Sequence, residues 1–403
     1  MGQIKVIHTS DWHLGKRLYR KEREAEHALF LKWLEGVLEV EKVDALVLAG
    51  DVFDSPTPPH SSLKLYYDFL KRASDLGVHT VIISGNHDSQ GLINAPQNIL
   101  KDKKIHLYSK LQTELSKNIC ELSINGEKLF IKCLPYFRNF ELIKLAQTMD
   151  MFQEDQPREE VFKAALKSFL AYWPEKTKGN KMLLAHHVFG EYAATGSEHF
   201  ISLSGIDSIA LSWLNGHFDY TALGHIHQFQ SLSKDQNAYY TGSPLQMRFS
   251  ESKNKYIQKI VFDSDGEAPK LEKVKIPVFR ELIPIKTNSN TYIEDIKKAL
   301  SQTQGQLEPF VEVQIEMLET KTGLVDLVKD MCEERGASLL SFLPVLKEQG
   351  QIEEEKNALA SELNIVELFK RFYQEKFPDS EQVPAYLETR FRELLDESSH
   401  EDS

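Results

Sequence analysis

The stretch TVIISGNHDSQ, residues 80–90, decides both the fold class and the chemistry expected of this chain. Its β-branched run, Val81 to Ile83, is typical of a buried strand. The run ends at Gly85 and is followed at once by three different polar groups. These are the amide of Asn86, the imidazole of His87 and the carboxylate of Asp88. One such group is typical of a turn, whereas three in succession indicate a functional site.

The same arrangement follows four other apolar runs that predict strands. In chain order the polar residues are Asp11 and His13, Asp51 and Asp54, His186 and His187, and His225 and His227. Ligands of α/β sheets bind beyond the carboxyl ends of the strands, so five strands deliver their side chains to one edge. Side chains two apart in an extended segment point the same way, so Asp11 and His13 form one convergent pair and His225 and His227 another.

The donor types indicate a metal site. Carboxylate, amide and imidazole groups without a thiolate favour Mn²⁺, Fe²⁺ or Zn²⁺ over a closed structural zinc site. An isolated Asp-x-His is a weak signal, Gly-Asp-x-x-Asp alone is compatible with a turn, and Gly-His-x-His alone is a moderate signal, because short motifs occur often on surfaces and at helix caps. Together they supply too many ligands for one ion, and two ions that share a bridging carboxylate would use them all.

Alternating strand and helix patterns predict an α/β domain over residues 1–277, with two sheets packed face to face and helices outside. Residues 278–345 read as a small β-α-β-α-β domain, and 346–362 as a charged linker. Residues 363–403 read as short amphipathic helices with an acidic tail. Their apolar residues at helical spacing are Ile365, Leu368, Phe369 and Phe372. A short apolar helix beyond a linker packs back on its own domain or docks on a partner.

The formal net charge of −12 argues by itself against a nucleic-acid partner. Directly after the first metal motif, however, the chain has a basic cluster around Tyr19. Its members are Lys16, Arg17, Arg20, Lys21 and Arg23. Such a cluster is either a solvated face or a phosphate-binding surface. Three scattered cysteines, no apolar run of about 18 residues and no secretory signal predict a cytoplasmic protein without a membrane span.

The ordered motifs Asp-x-His, Gly-Asp-x-x-Asp, Gly-Asn-His-Asp, His and Gly-His-x-His resemble those of the calcineurin-like metallophosphoesterase superfamily. Within it, HTSDWHLGK, GDVFD, GNHDS, ALGHIHQ and YYTGSPLQMRFSE are similar to the nuclease subunits of SbcCD-type complexes. The resemblance implies an α/β (α+β) fold class. It consists of a four-layer metallophosphoesterase β-sandwich flanked by helices, a βαβαβ capping domain and C-terminal helices.

The resemblance also implies two divalent ions, with Mn²⁺ favoured, and assigns their ligands. One ion would be held by Asp11, His13, Asp51 and His227, and the other by Asp51, Asn86, His186 and His225. The family ligand is the first histidine after the fourth strand, which selects His186 over His187. Asp54 is expected to contact a ligand rather than an ion.

His87 is expected to act as the catalytic group that stabilises or protonates the leaving oxygen, with Asp88 orienting it. Lys16, Arg17, Arg20 and Lys21 are expected to bind DNA phosphates. The implied activity is a 3′–5′ double-strand exonuclease and a single-strand and hairpin endonuclease in DNA repair, replication and recombination.

The implied partner is SbcC, an SMC-like ATPase that would dock on Ile365, Leu368, Phe369 and Phe372. No Gly-x-x-x-x-Gly-Lys-[ST] motif occurs in this chain, so ATP would be handled by that partner. A homodimer within a heterotetramer, associated with the nucleoid, is expected. The alternatives are another phosphoesterase of the superfamily, such as a phosphatase or cyclic-nucleotide phosphodiesterase, or a non-catalytic scaffold for an ATPase.

Overall fold

The computed structural model describes residues 2–152, 157–193, 208–233, 235, 237–263, 267–319, 322–346, 373, 384 and 387. The residues predicted to dock a partner ATPase, Ile365, Leu368, Phe369 and Phe372, lie outside the described residues. Within the described ranges, every helix is too short or too polar to cross a bilayer.

The strands in chain order are β1 (Ile4–Thr9), β2 (Arg17–Leu18), β3 (Lys21–Glu22), β4 (Ala45–Ala49), β5 (His79–Ile83), β6 (Ile105–Tyr108), β7 (Ile119–Ile124), β8 (Glu127–Leu134), β9 (Asn180–His186), β10 (Tyr220–Gly224), β11 (Gln230–Ser233), β12 (Ala238–Tyr240), β13 (Tyr256–Phe262), β14 (Lys270–Lys275), β15 (Leu282–Asn288), β16 (Phe310–Met317) and β17 (Ser338–Leu346). The α-helices are α1 (Glu24–Val40), α2 (His60–Asp75), α3 (Gln90–Asn94), α4 (Gln97–Leu100), α5 (Asn139–Thr148), α6 (Arg158–Ala171), α7 (Tyr292–Ala299) and α8 (Leu324–Glu333).

Two mixed sheets form the centre of the larger unit. The first has the order β14-β13-β1-β4-β5-β6, with β1, β4, β5 and β6 parallel and β13 and β14 antiparallel to their neighbours. The second has the order β11-β12-β10-β9-β8-β7, with a parallel centre from β12 to β8. The central strands β4 and β10 are buried at every position, which explains why they read as continuous apolar runs rather than alternating ones.

The two sheets pack face to face. Val6, Val47 and Val81 of the first sheet share a buried core with Leu184 and Ala222 of the second. Helices α1 and α2 cover the outer face of the first sheet, and α5 and α6 cover that of the second. The predicted α/β fold class, a four-layer sandwich of two sheets between helices, is therefore confirmed.

A third, all-parallel sheet has the order β15-β16-β17. In β16 the alternate residues Val311, Val313 and Ile315 are buried against α7 and α8, as the period of two in its sequence requires. A smaller apolar cluster, made of Leu18, Phe249, Leu282, Phe310 and the partly buried Leu340, connects this sheet to the larger unit.

Strands β2 and β3 form a hairpin that the sequence patterns do not indicate. Its two-residue turn is Tyr19 and Arg20, and Leu18 packs in the cluster that joins the third sheet. Lys16, Arg17, Arg20 and Lys21 of the basic cluster therefore lie on or next to a hairpin that follows β1 and packs beside the third sheet.

Candidate metal centre

The turns that follow β1 and β4 are joined by backbone hydrogen bonds. The Asp11 N–H donates to Gly50 O at 3.1 Å, and the His13 N–H donates to Asp51 O at 3.0 Å. Between the two candidate ligands, Trp12 points the other way into the core, where its ring meets Phe30 and Phe69 edge-on. Trp12 thereby anchors the turn while Asp11 and His13 face the second sheet.

Four candidate ligands have backbone in the left-handed region. Their φ angles are 52° at Asp11, 46° at His13, 48° at Asp51 and 100° at His225. For residues with a Cβ this conformation costs roughly 1–2 kcal/mol each. Strain of this kind clusters at functional sites, where the surrounding structure enforces it.

Two glycines leave room for the site. A Cβ on Gly85 would lie 2.1 Å from Asp51 Oδ1, and a Cβ on Gly224 would lie 1.9 Å from Ala49 O. Neither distance is possible for a real side chain. The turns after β4, β5 and β10 therefore approach each other as closely as they do only because these two positions have no side chain.

The first group of donors surrounds His13. Its Nε2 lies 3.1 Å from His227 Nε2 and 3.5 Å from Asp51 Oδ2. Asp11 offers a carboxylate oxygen within 4.8 Å of donor atoms on His13 and His227. Two imidazole nitrogens this close repel each other when both carry lone pairs, unless a proton or a cation lies between them.

The second group surrounds Asn86. Its Oδ1 lies 3.0 Å from His186 Nε2 and 3.0 Å from His225 Nδ1. His186 Nε2 is also 3.4 Å from Asp51 Oδ2. A single oxygen of Asp51 therefore lies between the two groups of donors.

Polar contacts behind the ligands, one hydrogen bond and one ion pair, orient the rings of His186 and His13. His186 Nδ1 donates to Ala49 O at 2.7 Å, which directs Nε2 towards Asp51 and Asn86. Asp54 Oδ1 lies 3.2 Å from His13 Nδ1 and 3.0 Å from Lys16 Nζ. Carboxylates and carbonyls commonly hold metal-binding histidines in this way.

The site is buried, so the pKa of each titratable side chain depends strongly on the charge of its neighbours. Burial raises the pKa of Asp11 to about 6. Burial would also raise the pKa of Asp51, but the neighbouring His186 holds it well below its usual range. Burial would lower the pKa of His186, but Asp51 raises it to about 9. Without a cation, then, protons on histidine supply the positive charge that compensates these carboxylates, and an incoming cation would displace them.

His87 lies half-buried beside these donors. Its ring centroid is 4.9 Å from that of His13, and its ring Nδ1 lies 2.9 Å from Asp54 O. The backbone N–H of His87 donates to Asp51 Oδ1 at 2.9 Å. Burial lowers the pKa of His87, although Asp51 opposes this shift.

Asp88 has different contacts from those expected of a group that orients His87. Its carboxylate accepts the N–H groups of Val52, Phe53 and Gly85 at 3.1, 3.0 and 2.8 Å. It joins the turn after β4 to the turn after β5. The hydrogen-bond partner of His87 Nδ1 is instead the backbone carbonyl oxygen of Asp54.

His187 points away from the donors. Its Nε2 lies 3.1 Å from Pro135 O, and its ring stacks on Tyr136 with centroids 5.4 Å apart. The structure therefore brings His186, and not its neighbour, to the other donors.

The basic residues have unequal surroundings. Lys16 contacts Asp54, Arg17 is 2.5 Å from Glu22, and Arg20 and Lys21 are exposed on the hairpin. Arg23 is buried and pairs with Glu26, which also accepts from Arg280 at 2.9 Å, so Arg23 is not part of the exposed basic surface.

Sequence reasoning missed one group behind the site. Lys255 is buried, and its Nζ donates to His227 O at 3.2 Å and to Glu251 Oε2 at 2.7 Å. It holds the backbone of a candidate ligand. Lys255 directly precedes β13, and no local sequence pattern indicates that a lysine there supports a candidate metal ligand.

The comparisons with known proteins agree with this geometry. The SbcD subunit of the nuclease SbcCD from Escherichia coli (strain K12) is 28% identical over 406 residues, which cover 94% of this chain and 95% of that protein. The SbcD subunit of the nuclease SbcCD from Bacillus subtilis (strain 168) is 27% identical over 393 residues, which cover 96% of this chain and 97% of that protein. A family model described as calcineurin-like phosphoesterase matches residues 4–229, more than half of the chain. The chain belongs to the calcineurin-like phosphoesterase family.

Proposed function

We propose that this protein is the nuclease subunit of an SbcCD-type complex and hydrolyses DNA phosphodiester bonds with two divalent ions. Similarity along nearly the whole length of two relatives named as SbcD subunits of the nuclease SbcCD supports the substrate class. The phosphoesterase family and the buried donor groups support the reaction class.

The observation that carries the proposal is the position of Asp51. Its Oδ2 lies 3.5 Å from His13 Nε2 and 3.4 Å from His186 Nε2, between the two groups of donors. A carboxylate in this position suits a bridge between two ions. A structural site for one ion has no need of it.

The donors fit such ions. Ligand atoms about 2.1 Å from an ion and at right angles are about 3 Å apart, and the separations around His13 and Asn86 are 3.0–3.5 Å. Oxygen and imidazole donors suit Mn²⁺. Asp11, His13, Asp51 and His227 would hold one ion, and Asp51, Asn86, His186 and His225 the other. When bound, such a pair supplies Lewis-acid stabilisation of the phosphodiester oxygens and lowers the pKa of the attacking water.

We assign the leaving-group step to His87. The contact of Nδ1 with the Asp54 carbonyl favours a proton on that nitrogen and directs Nε2 to the opposite side of the ring. The step requires the imidazolium form of His87, which Asp51 favours against the effect of burial. The attacking water bonds to phosphorus and releases a proton to solvent, the bond to the 3′ oxygen breaks with its electron pair passing to that oxygen, and His87 transfers its Nε2 proton there and becomes neutral. Asp88 has a positioning role, because its carboxylate fixes the turns that carry Asp51 and Asn86.

DNA binding is assigned to the hairpin beside the site. Lys16, Arg17, Arg20 and Lys21 supply its positive charge, and contacts with phosphates hold DNA without reading its sequence. The finer properties expected from the resemblance also belong to this proposal. They are 3′–5′ exonuclease and hairpin endonuclease activity, ATP dependence through SbcC, docking of SbcC on residues 363–403, and a homodimer.

A cleavage assay tests the proposal. The full chain is incubated with Mn²⁺ and end-labelled duplex, hairpin or single-stranded DNA, with and without SbcC and ATP. We expect Mn²⁺-dependent cleavage that EDTA abolishes, and stimulation on duplex ends by SbcC with ATP. Asp51→Asn should remove the activity, and the matched surface variant Asp68→Asn should retain it. Hydrolysis of p-nitrophenyl phosphate without any cleavage of DNA would instead identify a phosphatase.

A further inference from the structure

A cleft of 410 Å³ separates the β2–β3 hairpin from the third sheet. It is distinct from the groups of donors at the metal centre and is formed by three parts of the chain that are distant in sequence. The residues that line it are Lys16, Arg17, Leu18, Tyr19, Met247, Arg248, Phe249, Ser250 and Glu312.

The turn at the edge of this cleft is built from unfavourable residues. Tyr19 and Arg20 have φ angles of 47° and 67° in a two-residue hairpin turn, where asparagine and glycine are the favoured residues. A bulky aromatic residue in the left-handed region is a genuine outlier. Such local conflicts occur where function, rather than stability, selects the side chain.

The Tyr19 ring is held in place but remains accessible. Its hydroxyl donates to Glu312 Oε2 at 2.8 Å, and its ring centroid is 6.0 Å from that of Phe249. Even so, 52% of Tyr19 is exposed. A fixed and exposed aromatic ring is a stacking surface on which little side-chain entropy is lost when a base binds.

Three cationic side chains, Lys16, Arg17 and Arg248, line the cleft, against one acidic lining residue, Glu312. Lys16 and Arg17 also contact Asp54 and Glu22, so a phosphate in the cleft would compete with these two carboxylates for them. The cleft also adjoins the metal centre, because Lys16 Nζ is 3.0 Å from Asp54 and Asp54 is 3.2 Å from His13. An anionic chain that reaches the donors could therefore continue into the cleft.

We propose that this cleft is a subsite for one unpaired nucleotide of the DNA strand next to the cleaved bond. Tyr19 stacks on the base, and Arg17 and Arg248 contact the phosphate. The subsite rests on the proposed nuclease function and extends it, because it makes the enzyme recognise a base that has left the duplex. Phosphate contacts alone would not detect whether a base is present next to the phosphate.

The test separates stacking from charge. Binding of the full chain is measured by fluorescence anisotropy in EDTA, so that no cleavage occurs. The probes are an oligothymidylate and an abasic oligonucleotide of equal length and charge. We expect the wild-type protein to bind the oligothymidylate about 5-fold or more tightly, since a stacked base contributes at least that much.

Three variants refine the test. Tyr19→Ala should bind both probes equally, and Tyr19→Phe, which loses the Glu312 contact but keeps the ring, should retain most of the preference. The control Phe152→Ala removes another exposed ring, which packs edge-on against Phe162 on α6, and should retain all of it.

Equal binding of the two probes by the wild-type protein, or an unchanged preference in Tyr19→Ala, overturns the subsite. The proposed function is tested separately by Mn²⁺-dependent hydrolysis of bis(p-nitrophenyl) phosphate by the wild-type protein. That compound needs the metal centre and no strand. Hydrolysis without base preference eliminates the subsite alone, whereas the absence of hydrolysis eliminates the nuclease.

Discussion

Asp54 Oδ1 lies 3.2 Å from His13 Nδ1 and so determines which ring nitrogen of His13 faces Asp51. Burial would raise the pKa of Asp54, but His13 and Lys16 lower it to about 2, so Asp54 is an anion at neutral pH. We expect Asp54→Asn to weaken Mn²⁺ binding by about 10- to 100-fold, because an amide holds the ring less firmly.

Titration calorimetry of the metal-free protein measures this affinity. Asp68→Asn on the surface of α2 is the control, and its affinity should equal that of the wild-type protein. An undiminished affinity in Asp54→Asn would show that His13 needs no support from this carboxylate.

His87→Gln should separate catalysis from metal binding. The glutamine cannot deliver a proton, so the cleavage rate should fall by about 10²- to 10⁴-fold. Calorimetry should give the same stoichiometry and a similar affinity for Mn²⁺. If bound Mn²⁺ is lost together with activity, His87 is part of the metal site and not the proton donor.

Gly85→Ala tests the close approach between the turns after β4 and β5. The new Cβ would lie 2.1 Å from Asp51 Oδ1, so the carboxylate must move. We expect the free energy of unfolding to fall by about 1–3 kcal/mol, as for other overpacked sites. Addition of Mn²⁺ should no longer raise the melting temperature of this variant.

The control is Gly36→Ala on α1, where a Cβ would meet nothing within 4 Å. Alanine should stabilise this helix by about 0.5–1 kcal/mol. Calorimetric melting with and without Mn²⁺ measures both variants. A Gly85→Ala protein that Mn²⁺ stabilises normally would contradict the assigned geometry.

Reversing two charges on the hairpin should weaken DNA binding regardless of sequence. In Arg17→Glu with Arg20→Glu, each lost phosphate contact should reduce the slope of log affinity against log salt by about 0.9. Fluorescence anisotropy over a salt series measures the slope. Lys117→Glu with Lys128→Glu changes the net charge equally at other exposed positions and should leave the slope nearly unchanged. Equal slopes in both variants would make the hairpin an ordinary solvated surface.

His8 predicts a loss of stability in acid. It lies between the two sheets, with Nδ1 3.0 Å from Tyr220 Oη, and burial lowers its pKa from about 6.5 to about 3. As the pH falls through this window, the unfolded chain binds a proton that the folded protein does not. Unfolding should therefore become easier by about 1.4 kcal/mol per pH unit from this group alone.

Urea denaturation between pH 7 and pH 4 measures that slope. His8→Gln should reduce it, whereas His60→Gln at the exposed start of α2 should not. Identical slopes in the His8→Gln and wild-type proteins would mean that another group causes the acid sensitivity.

The sequence predicts the sandwich well because its signals are local. Runs such as ALVLA and TVIIS are apolar on both faces, as a strand between two layers must be. Each run ends in a polar group, so the edge that carries Asp51 and Asn86 could be inferred from chain order alone.

Other features depend on contacts that are distant in sequence, and no local pattern reveals them. The hairpin has two-residue strands and a Tyr-Arg turn, so it shows neither alternation nor a typical turn motif. Arg23 belongs to a basic run that predicts an exposed side chain, yet it is buried. It pairs with Glu26, which also pairs with Arg280 from a distant part of the chain. The contacts of Asp88 likewise follow from the packing of two turns 36 residues apart.

Asp88 has a wider consequence for how this enzyme tolerates change. The Asp88 carboxylate hydrogen-bonds to backbone N–H groups of both turns, the one after β4 and the one after β5. The two turns are therefore held together as one unit, which keeps the distance between Asp51 and Asn86 fixed. Replacing Asp88 would then mimic the phenotype of a lost acid-base group, although the damage lies in the architecture.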